Sequence, residues 1–198
     1  MTNGHDALIL AAGGSLRLGR PKQLLTVGGE TLVARTARMV AATRPGKTVV
    51  VLGAHAERMC GQLAGAIAVF NPDWATGIAS SLKVAADVLA GRAAPVLVVV
   101  VDQLALSEAH LWRLLTAHGG SRDTVTAYGD AMGVPAVLRA ATLARAKALE
   151  GDTGFRALWH DATPEAVRDD AFADDLDTES DMARAIAIGA LDPQRGHM

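Results

Sequence analysis

Residues 8–22 read LILAAGGSLRLGRPK, and this stretch says most about the fold. It opens as an apolar run typical of a buried strand and then reaches the pair Gly13 and Gly14. Glycines directly after a strand allow backbone amides to approach an anion, because no Cβ atom is in the way. Arg17 and Lys22 place positive charge on the same loop. The stretch therefore predicts a strand followed by a phosphate-binding loop.

Strand and helix patterns alternate along the rest of the chain. We predict strands at 7–11, 48–52, 67–70, 95–101, 124–128, 134–138 and 165–168. We predict helices at 31–42, 55–64, 80–89, 107–118, 139–149, 154–160 and 178–188, with Ser107 and Thr178 as N-caps. The segment PVLVVVV at 95–101 is typical of a central strand buried on both faces. The alternation predicts an α/β fold: a three-layer, Rossmann-like, mostly parallel sheet flanked by helices, with ligands at the carboxyl ends of its strands.

Length and composition indicate one domain of ordinary size. The 198 residues are 50% hydrophobic, which excludes a largely disordered chain. We expect a single domain over residues 1–190 and a tail over 191–198, frayed from Asp192 onward.

Charge, cysteine content and hydropathy restrict the class of protein. A net charge of −2 gives no basic footprint for nucleic acid. Cys60 is the single cysteine, so an internal disulfide framework is excluded and a reducing, cytoplasmic location is expected. No apolar run approaches the roughly 20 residues that cross a bilayer, and MTNGHDALIL lacks the pattern of a signal peptide. We therefore expect neither nucleic acid nor a membrane as a partner.

Familiar loop motifs do not fit the first loop. A P-loop needs Lys and then Ser or Thr after its second glycine, whereas Arg20 and Pro21 follow Gly19 here. The dinucleotide fingerprint GxGxxG and the nucleophile elbow GxSxG are both missing. Composition alone leaves two interpretations open: a phosphate site, or a glycine-rich turn with solvated cations.

A family resemblance favours the phosphate site. LAAGGSLRLGRPKQLL resembles the signature loop, roughly LAAGxSxRxGxxK, of the nucleotidyltransferase superfamily with a glycosyltransferase-A-like fold. Within it, the chain is most similar to the molybdenum cofactor nucleotidyltransferases, in particular their cytidylyltransferase branch. The likeness runs from Leu8 to about Ala187 and includes, in family order, TVVVLGAHAERM at 48–59, NPDWATGIASSL at 71–82, VDQL at 101–104, GVPAVL at 133–138, GDTGFRAL at 151–158 and DLDTESDM at 175–182.

The resemblance implies that the first loop holds a nucleoside triphosphate, with Lys22 near the α-phosphate. Lys22 and Arg17 are thereby the catalytic candidates, and the spelling Leu-Ala-Ala-Gly favours CTP. For Ser80 and Ser81 ordinary helix capping remains an alternative, and for Trp74 we expect core packing. The candidate nucleotide-binding residues are Leu10, Ala11, Ala12, Gly13, Gly14, Ser15, Lys22, Asn71, Gly77, Ser80, Ser81 and Asp102.

Two aspartates are candidate ligands for Mg²⁺. Asp102 closes the most apolar strand, where an unpaired buried carboxylate is too costly to be core filler. The resemblance matches Asp102 to the metal-binding aspartate of a CDQP-type motif and Asp177 to the second metal ligand. Val101 and Leu104 depart from that motif, and Asp175 is a weaker candidate. A capping or solvated role is the alternative for each aspartate.

The resemblance also implies an acceptor side formed by Gly133, Pro135, Gly151 and Asp152, with plain turn chemistry as the alternative. The implied acceptor is a molybdopterin-type phosphate, and the implied protein partner is a molybdoenzyme or its maturation chaperone. The expected reaction is transfer of CMP from CTP to that phosphate with release of pyrophosphate, assisted by Mg²⁺. Alternatives are a GTP-using enzyme, a sugar-phosphate or methylerythritol-phosphate nucleotidyltransferase, and a nucleotide-binding accessory protein without turnover.

Overall fold

The fold is built on one mixed β-sheet. A computed structural model describes residues 4–63, 65–159 and 163–193. In this part of the chain, seven strands form the sheet, and β2 and β3 form a separate small hairpin. In chain order the strands are β1 (Asp6–Ala11), β2 (Thr26–Val27), β3 (Glu30–Thr31), β4 (Thr48–Leu52), β5 (Ile67–Phe70), β6 (Val96–Val100), β7 (Thr124–Tyr128), β8 (Ala131–Leu138) and β9 (Glu165–Arg168).

Helices connect the strands, and side-chain caps set where several of them begin. They are α1 (Leu32–Ala42), α2 (Ala56–Met59), α3 (Ile78–Val88), α4 (Glu108–Ala117), α5 (Ala140–Arg145) and α6 (Glu179–Ala187). Ser107 accepts a hydrogen bond from the backbone of His110, and Thr178 accepts one from Asp181, which confirms both predicted N-caps.

The strand order across the sheet is β5-β4-β1-β6-β8-β7-β9. Within the described residues, β8 runs against both of its neighbours, and the other strands are parallel to one another. The glycine loop follows β1, Gly53 follows β4, and Asp102 follows β6. These three segments therefore meet at the carboxyl edge, in the order β4, β1, β6.

Both faces of the sheet are buried, as the apolar strands predict. Leu8 and Leu10 pack on one face with Leu82 of α3. On the other face, Ile9 packs with Val40 of α1. Helices α3 and α5 contribute to the first face, and α1 and α4 to the second, so the predicted three layers are confirmed.

A third apolar cluster ties the first loop to the end of the chain. Leu18 of the glycine loop is fully buried there, together with Leu25, Leu176, Ala185 of α6 and Leu191. Burial of large aliphatic side chains of this kind contributes about 1.5–3 kcal/mol each. The cluster therefore holds the loop that carries Arg17 and Lys22 against the segment that carries Asp177.

The predicted start of the C-terminal tail lies too early in the sequence. Leu191 is 2% exposed, and Asp192 accepts hydrogen bonds from the backbone of Gly28 and Gly29 at 2.9 and 2.8 Å. The prediction of a frayed chain is therefore wrong for Asp192, because two backbone donors of the β2–β3 turn bind its carboxylate. Residues 194–198 lie outside the described part.

Several predicted helices are shorter than their patterns. The segment 55–64 holds only α2 and a 3₁₀ turn at Cys60–Gln62, and a glycine within the pattern disfavours a longer helix. The segment 139–149 holds α5 and a 3₁₀ turn at Ala146–Ala148, and 154–160 holds a 3₁₀ helix at Phe155–Trp159. Residues 64 and 160 lie outside the described part. No helix among the described residues is long and apolar enough to cross a membrane.

Candidate nucleotide and metal site

A cleft of about 420 Å³ opens at the carboxyl edge of the sheet, around the ends of β1 and β6. Residues predicted for the site that line it are Leu10, Ala11, Ala12, Gly13, Gly14, Lys22, Gly77, Ser81, Asp102 and Asp152. Its wall also includes Leu16, Gln23, Trp74, Ala75, Ile78, Val100 and Val101. The structure thus brings segments far apart in the sequence into one cleft.

Lys22 joins the two predicted metal ligands. Its Nζ donates to Oδ2 of Asp102 at 2.8 Å and to Oδ1 of Asp177 at 2.9 Å. Arg17 donates to Oδ2 of Asp177 at 2.7 Å, but its side chain is 74% exposed, so this pair alone stabilises little. Two cations and two carboxylates therefore form one charge-balanced group beside the cleft.

The charges in this group shift one another's pKa values. Burial alone would lower the pKa of Lys22, but the carboxylates of Asp102 and Asp177 outweigh it and raise the pKa. The hydrogen bond from Lys22 holds the pKa of Asp177 below its usual range, against the effect of burial. Burial raises the pKa of Asp175, and the charges of Asp102 and Asp177 act in the same direction. Lys22 is therefore a permanent cation at neutral pH.

Gln23 and Ser15 hold the first loop in shape. Gln23 is 1% exposed, and its Nε2 donates to the carbonyl oxygens of Ala11 at 3.1 Å and Gly13 at 2.7 Å. Ser15 has a φ of 52°, and its hydroxyl accepts a hydrogen bond from the backbone of Lys22 at 3.1 Å. Sequence reasoning missed Gln23, although a polar residue directly after the loop lysine was a usable signal. The predicted contact of Ser15 with a nucleotide stays a prediction, since its hydroxyl closes the loop here.

A capping box positions Asp177. The Thr178 hydroxyl accepts from the Asp181 backbone at 3.2 Å, and the Asp181 carboxylate accepts from the backbones of Thr178 at 2.8 Å and Asp177 at 3.2 Å. Hydrogen bonds from Thr178 lower the pKa of Asp181 to about 2, so it stays ionised. Leu176, on the other side, is 2% exposed in the third cluster. Asp177 is therefore fixed by neighbours on both sides.

Asn71 lies under the cleft and does not line it. It is 1% exposed, and its Nδ2 donates to the hydroxyls of Ser80 at 2.8 Å and Ser81 at 3.0 Å. Its Oδ1 accepts from the backbone of Asp73 at 3.0 Å. Both donors of the amide are thus used by neighbouring hydroxyls, and the predicted contact of Asn71 with a nucleotide stays a prediction. Its role is to fasten the 71–76 turn to α3. The Ser80 hydroxyl donates to the Gly77 carbonyl at 2.8 Å, and Ser80 likewise does not line the cleft.

The predicted acceptor residues divide into two groups. Asp152 is exposed and lines the cleft, and Gly151 lies beside it, with its carbonyl accepting from the backbone of Ala79 at 3.1 Å. Gly133 and Pro135 are buried within β8, because the strand begins earlier than its apolar pattern indicated. Neither lines the cleft, and their predicted contact with an acceptor stays a prediction.

Gln103 belongs to the VDQL motif of the family resemblance, but the sequence assigned it no role. It is 5% exposed, and its Nε2 donates to the carbonyl of Val134 at 2.8 Å. The residue after Asp102 therefore ties the end of β6 to β8. Both Lys22 and Asp102 are thus followed by a buried glutamine whose amide holds a neighbouring backbone segment.

The side chains fit Mg²⁺. Oxygens of Asp102 and Asp177 contact the same Lys22 nitrogen, so the space between them already accommodates one cation. Mg²⁺ takes one or two carboxylates from a protein and completes its octahedron with water and substrate phosphate. The described residues contain no group of three or more His, Cys, Asp or Glu side chains that could hold a metal ion. Asp102 and Asp177 would therefore hold Mg²⁺ together with phosphate oxygens.

A larger cavity, of about 930 Å³, lies at the opposite edge of the sheet. Its lining includes Arg44, just after the C-terminal end of α1, where a basic side chain complements the helix dipole. None of the residues predicted for the site lines this cavity. The smaller cleft therefore remains the candidate functional site, although the second cavity is larger.

Known proteins resemble this chain over nearly its whole length. Nicotine blue oxidoreductase of Paenarthrobacter nicotinovorans is 34% identical over 198 residues, covering 90% of this chain and 95% of that protein. Rv0371c of Mycobacterium tuberculosis H37Rv, solved in complex with manganese, is 25% identical with a TM-score of 0.77, covering 93% and 99% of the two chains. A nucleotidyl transferase from Methanothermobacter thermautotroptrophicus shares the fold, with 24% identity, a TM-score of 0.80 and coverage of 94% and 98%.

The mostly parallel sheet, with a glycine loop, a lysine and two aspartates at its carboxyl edge, has the α/β nucleotidyltransferase fold. The chain belongs to the family of the MobA-like NTP transferase domain, which it matches over residues 7–167. This match confirms the family and the fold class that the sequence predicted.

Proposed function

We propose that this chain transfers CMP from CTP to the phosphate of a molybdopterin-type acceptor and releases pyrophosphate. The observation that carries the proposal is the double contact of Lys22 Nζ with Asp102 and Asp177, directly beside the glycine loop. Such a group has the charges that nucleotidyl transfer requires: a cation for the phosphates and two carboxylates for a divalent metal.

The glycine loop would bind the triphosphate. Backbone amides of Gly13 and Gly14 line the cleft without side chains, and Lys22 supplies a permanent charge at the same wall. A bound triphosphate would compete with the carboxylates for Lys22, so the lysine would turn from Asp102 and Asp177 towards the phosphate oxygens. Arg17, which is exposed, would follow onto the β- and γ-phosphates.

The chemistry needs positioning more than proton transfer. An oxygen of the acceptor phosphate attacks the α-phosphorus, the bond from that phosphorus to the bridging oxygen breaks, and pyrophosphate leaves with the electron pair. The acceptor phosphate is ionised at neutral pH, so no general base is required. Lys22 would stabilise the negative charge that develops on the α- and β-phosphate oxygens. Asp102 and Asp177 would hold Mg²⁺, which when bound neutralises phosphate charge and aligns the two substrates.

The family resemblance supports the choice of CTP through Leu10 to Gly13. The test is pyrophosphate release from each of the four nucleoside triphosphates, with Mg²⁺, in the presence and absence of molybdopterin. We expect the fastest release with CTP and molybdopterin, and none after chelation of the metal. Faster pyrophosphate release with GTP would overturn the assignment of CTP as the donor. Acceptance of a sugar phosphate in place of molybdopterin would overturn the assignment of the acceptor. Nucleotide binding without any pyrophosphate release would identify an accessory protein.

A second candidate function comes from one relative. Nicotine blue oxidoreductase matches 90% of this chain at 34% identity, and its name states a redox activity. An oxidoreductase exchanges electrons with a redox partner, and a nicotinamide dinucleotide is a common one. Conversion of a nicotinamide dinucleotide in the presence of nicotine blue, measured beside pyrophosphate release on one preparation, separates the two functions.

The proposal also includes a protein partner and a location in the cell. A molybdoenzyme or its maturation chaperone would receive the product. The cytoplasm is the expected location because the chain has a single cysteine.

A further inference from the structure

Trp74 stands out among the residues that line the cleft. It is the only aromatic side chain in the described lining, in a chain where aromatic residues make up only 4%. It opens the 3₁₀ turn Trp74–Thr76 after β5, and it is partly buried against the core. A ring that belonged to the core alone would not also form a wall of the cleft.

Two glycines make room for the indole. A Cβ atom on Gly14 would lie 2.8 Å from Cζ3 of Trp74, and a Cβ atom on Gly53 would lie 2.5 Å from its Cβ. The ring therefore rests on the glycine loop after β1 and on the backbone after β4. Asn71 fixes the turn from below through the hydroxyls of Ser80 and Ser81. The indole is thus held in place from several sides before any ligand arrives.

The two ends of the cleft differ in polarity. Asp102 follows β6, Gly53 and Trp74 lie at the end of β4, and β1 with its loop lies between them. Two strand spacings separate the outer ends by about 10 Å. One end, with Lys22, is charged, whereas Trp74, Ala75 and Ile78 form an apolar wall at the other end, with the exposed Asp152 beside Gly77. A nucleoside triphosphate has the same division, with a charged chain at one end and a flat base at the other.

We propose that the indole of Trp74 is the platform on which the nucleobase stacks, an inference that rests on the proposed nucleotide chemistry of this cleft. Aromatic faces attract the faces of all bases, so this contact contributes affinity without selecting one base. Trp74 therefore binds the base half of the donor, while the loop and Lys22 bind the phosphate half.

The test compares a ligand that has a base with one that lacks it. Dissociation constants for CTP and for inorganic tripolyphosphate are measured by calorimetry, with Mg²⁺ and without acceptor, on the wild-type chain and on Trp74→Leu, Trp74→Phe and Trp112→Leu. Trp112 is 37% exposed and lines the opposite cavity, so its variant is the matched control. We expect Trp74→Leu to weaken CTP binding about tenfold and to leave tripolyphosphate binding unchanged. Trp74→Phe and Trp112→Leu should stay close to the wild type.

Each other outcome is decisive. Equal weakening of both ligands would show that the ring only supports Gly14, and unchanged CTP binding would show no contact, so either result overturns the inference. If the wild-type chain binds neither ligand, the proposed function itself fails. If Trp74→Leu does not fold, indole fluorescence replaces it: the emission that Trp74→Phe removes must be quenched by CTP and not by tripolyphosphate, and failure to see this overturns the inference.

Discussion

Lys22 is the residue on which the candidate site depends. Its ammonium group is shared between Asp102 and Asp177 at 2.8 and 2.9 Å. This double contact offsets the repulsion between the two carboxylates. With a triphosphate, the same charge would serve the phosphates, and the carboxylates would become available to a divalent cation. One side chain would thus serve both the carboxylates and the phosphates.

Replacing Lys22 with Ala should lower kcat about 10²–10³-fold, the usual effect of losing one charge-stabilising group in a reaction of this type. Lys22→Arg should restore only part of the rate, because a planar guanidinium cannot place a point charge at the same spot. Steady-state pyrophosphate release measures both effects. Lys47→Ala is the matched control, since Lys47 contacts the Val88 carbonyl away from the cleft. Wild-type turnover in Lys22→Ala would contradict the assignment.

At this scale the sequence predicted charged groups better than neutral ones. Lys22, Asp102 and Asp177 were recognised, and the structure brings them together. Asn71 was placed in the site, but its amide is used for neighbouring hydroxyls. A motif shows which residue is present, whereas only the fold shows whether its hydrogen-bonding groups are already occupied. Gln23 was missed for the same reason.

At the scale of elements, a helix cap can stabilise its helix and also position a residue of the candidate site. The capping box of α6 binds the backbone of Asp177 as well as that of Thr178. The cap of α4 at Ser107 has similar hydrogen-bond geometry but contacts no residue of the cleft. The two caps therefore provide a comparison between stability alone and stability combined with positioning.

Thr178→Ala and Ser107→Ala should each lower the free energy of unfolding by about 1 kcal/mol, because each leaves a helix N-terminus without its side-chain acceptor. Only Thr178→Ala should also lower kcat, because it loosens Asp177. Urea unfolding and pyrophosphate release on the same preparations measure the two effects. Equal kinetics in both variants would refute the positioning role of the α6 cap.

The limits of sequence reasoning for elements have identifiable causes. The strands at 48–52, 67–70 and 124–128 were predicted with the bounds observed, because β-branched or apolar residues fill them. The hairpin of β2 and β3 was missed, since two-residue strands show no periodicity. Gly28 and Gly29 have φ values of 60° and 81°, the left-handed geometry of a tight hairpin turn, so the Gly-Gly pair was a usable signal.

The antiparallel direction of β8 is a property of the whole sheet. Only residues 129 and 130 separate β7 from β8, which is long enough for a hairpin and too short for a parallel crossover. The mostly parallel character was predicted from strand and helix alternation, and the single reversal was not. Its consequence is that β8 starts at the carboxyl edge, beside Asp102 and Gln103.

Buried histidines give the whole molecule a pH-dependent stability. Burial lowers the pKa of His110 below its ordinary value of 6.5, although the nearby Asp169 carboxylate opposes this. The Thr126 hydroxyl donates to the Pro135 carbonyl, so it accepts a hydrogen bond from Nε2 of His110 at 2.8 Å. Nδ1 of His110 lies 3.2 Å from the Asp169 carboxylate, a contact that favours the protonated ring but is outweighed by burial. Below pH 6.5 the unfolded chain takes up a proton that the folded chain resists, and stability falls. His5 and His118 add to this trend, because burial lowers their pKa values too.

The free energy of unfolding should therefore decline as the pH falls from about 7 to 5, and His110→Gln should decline less steeply than the wild type. Urea titrations at several pH values give the two slopes. The comparison uses the slope of the free energy of unfolding against pH, so a loss of stability that is the same at every pH does not affect it. Equal slopes would show that His110 does not contribute.

The central claim is that the Lys22, Asp102 and Asp177 group performs nucleotidyl transfer. The most direct measurement uses CTP labelled at the α-phosphate, with molybdopterin and Mg²⁺, on the wild-type chain and on Asp102→Asn. We expect one label to reach the acceptor for each pyrophosphate released, and transfer in Asp102→Asn to fall about 10²-fold or more. Label that stays on CTP or appears as free CMP, or wild-type transfer by Asp102→Asn, would contradict the claim.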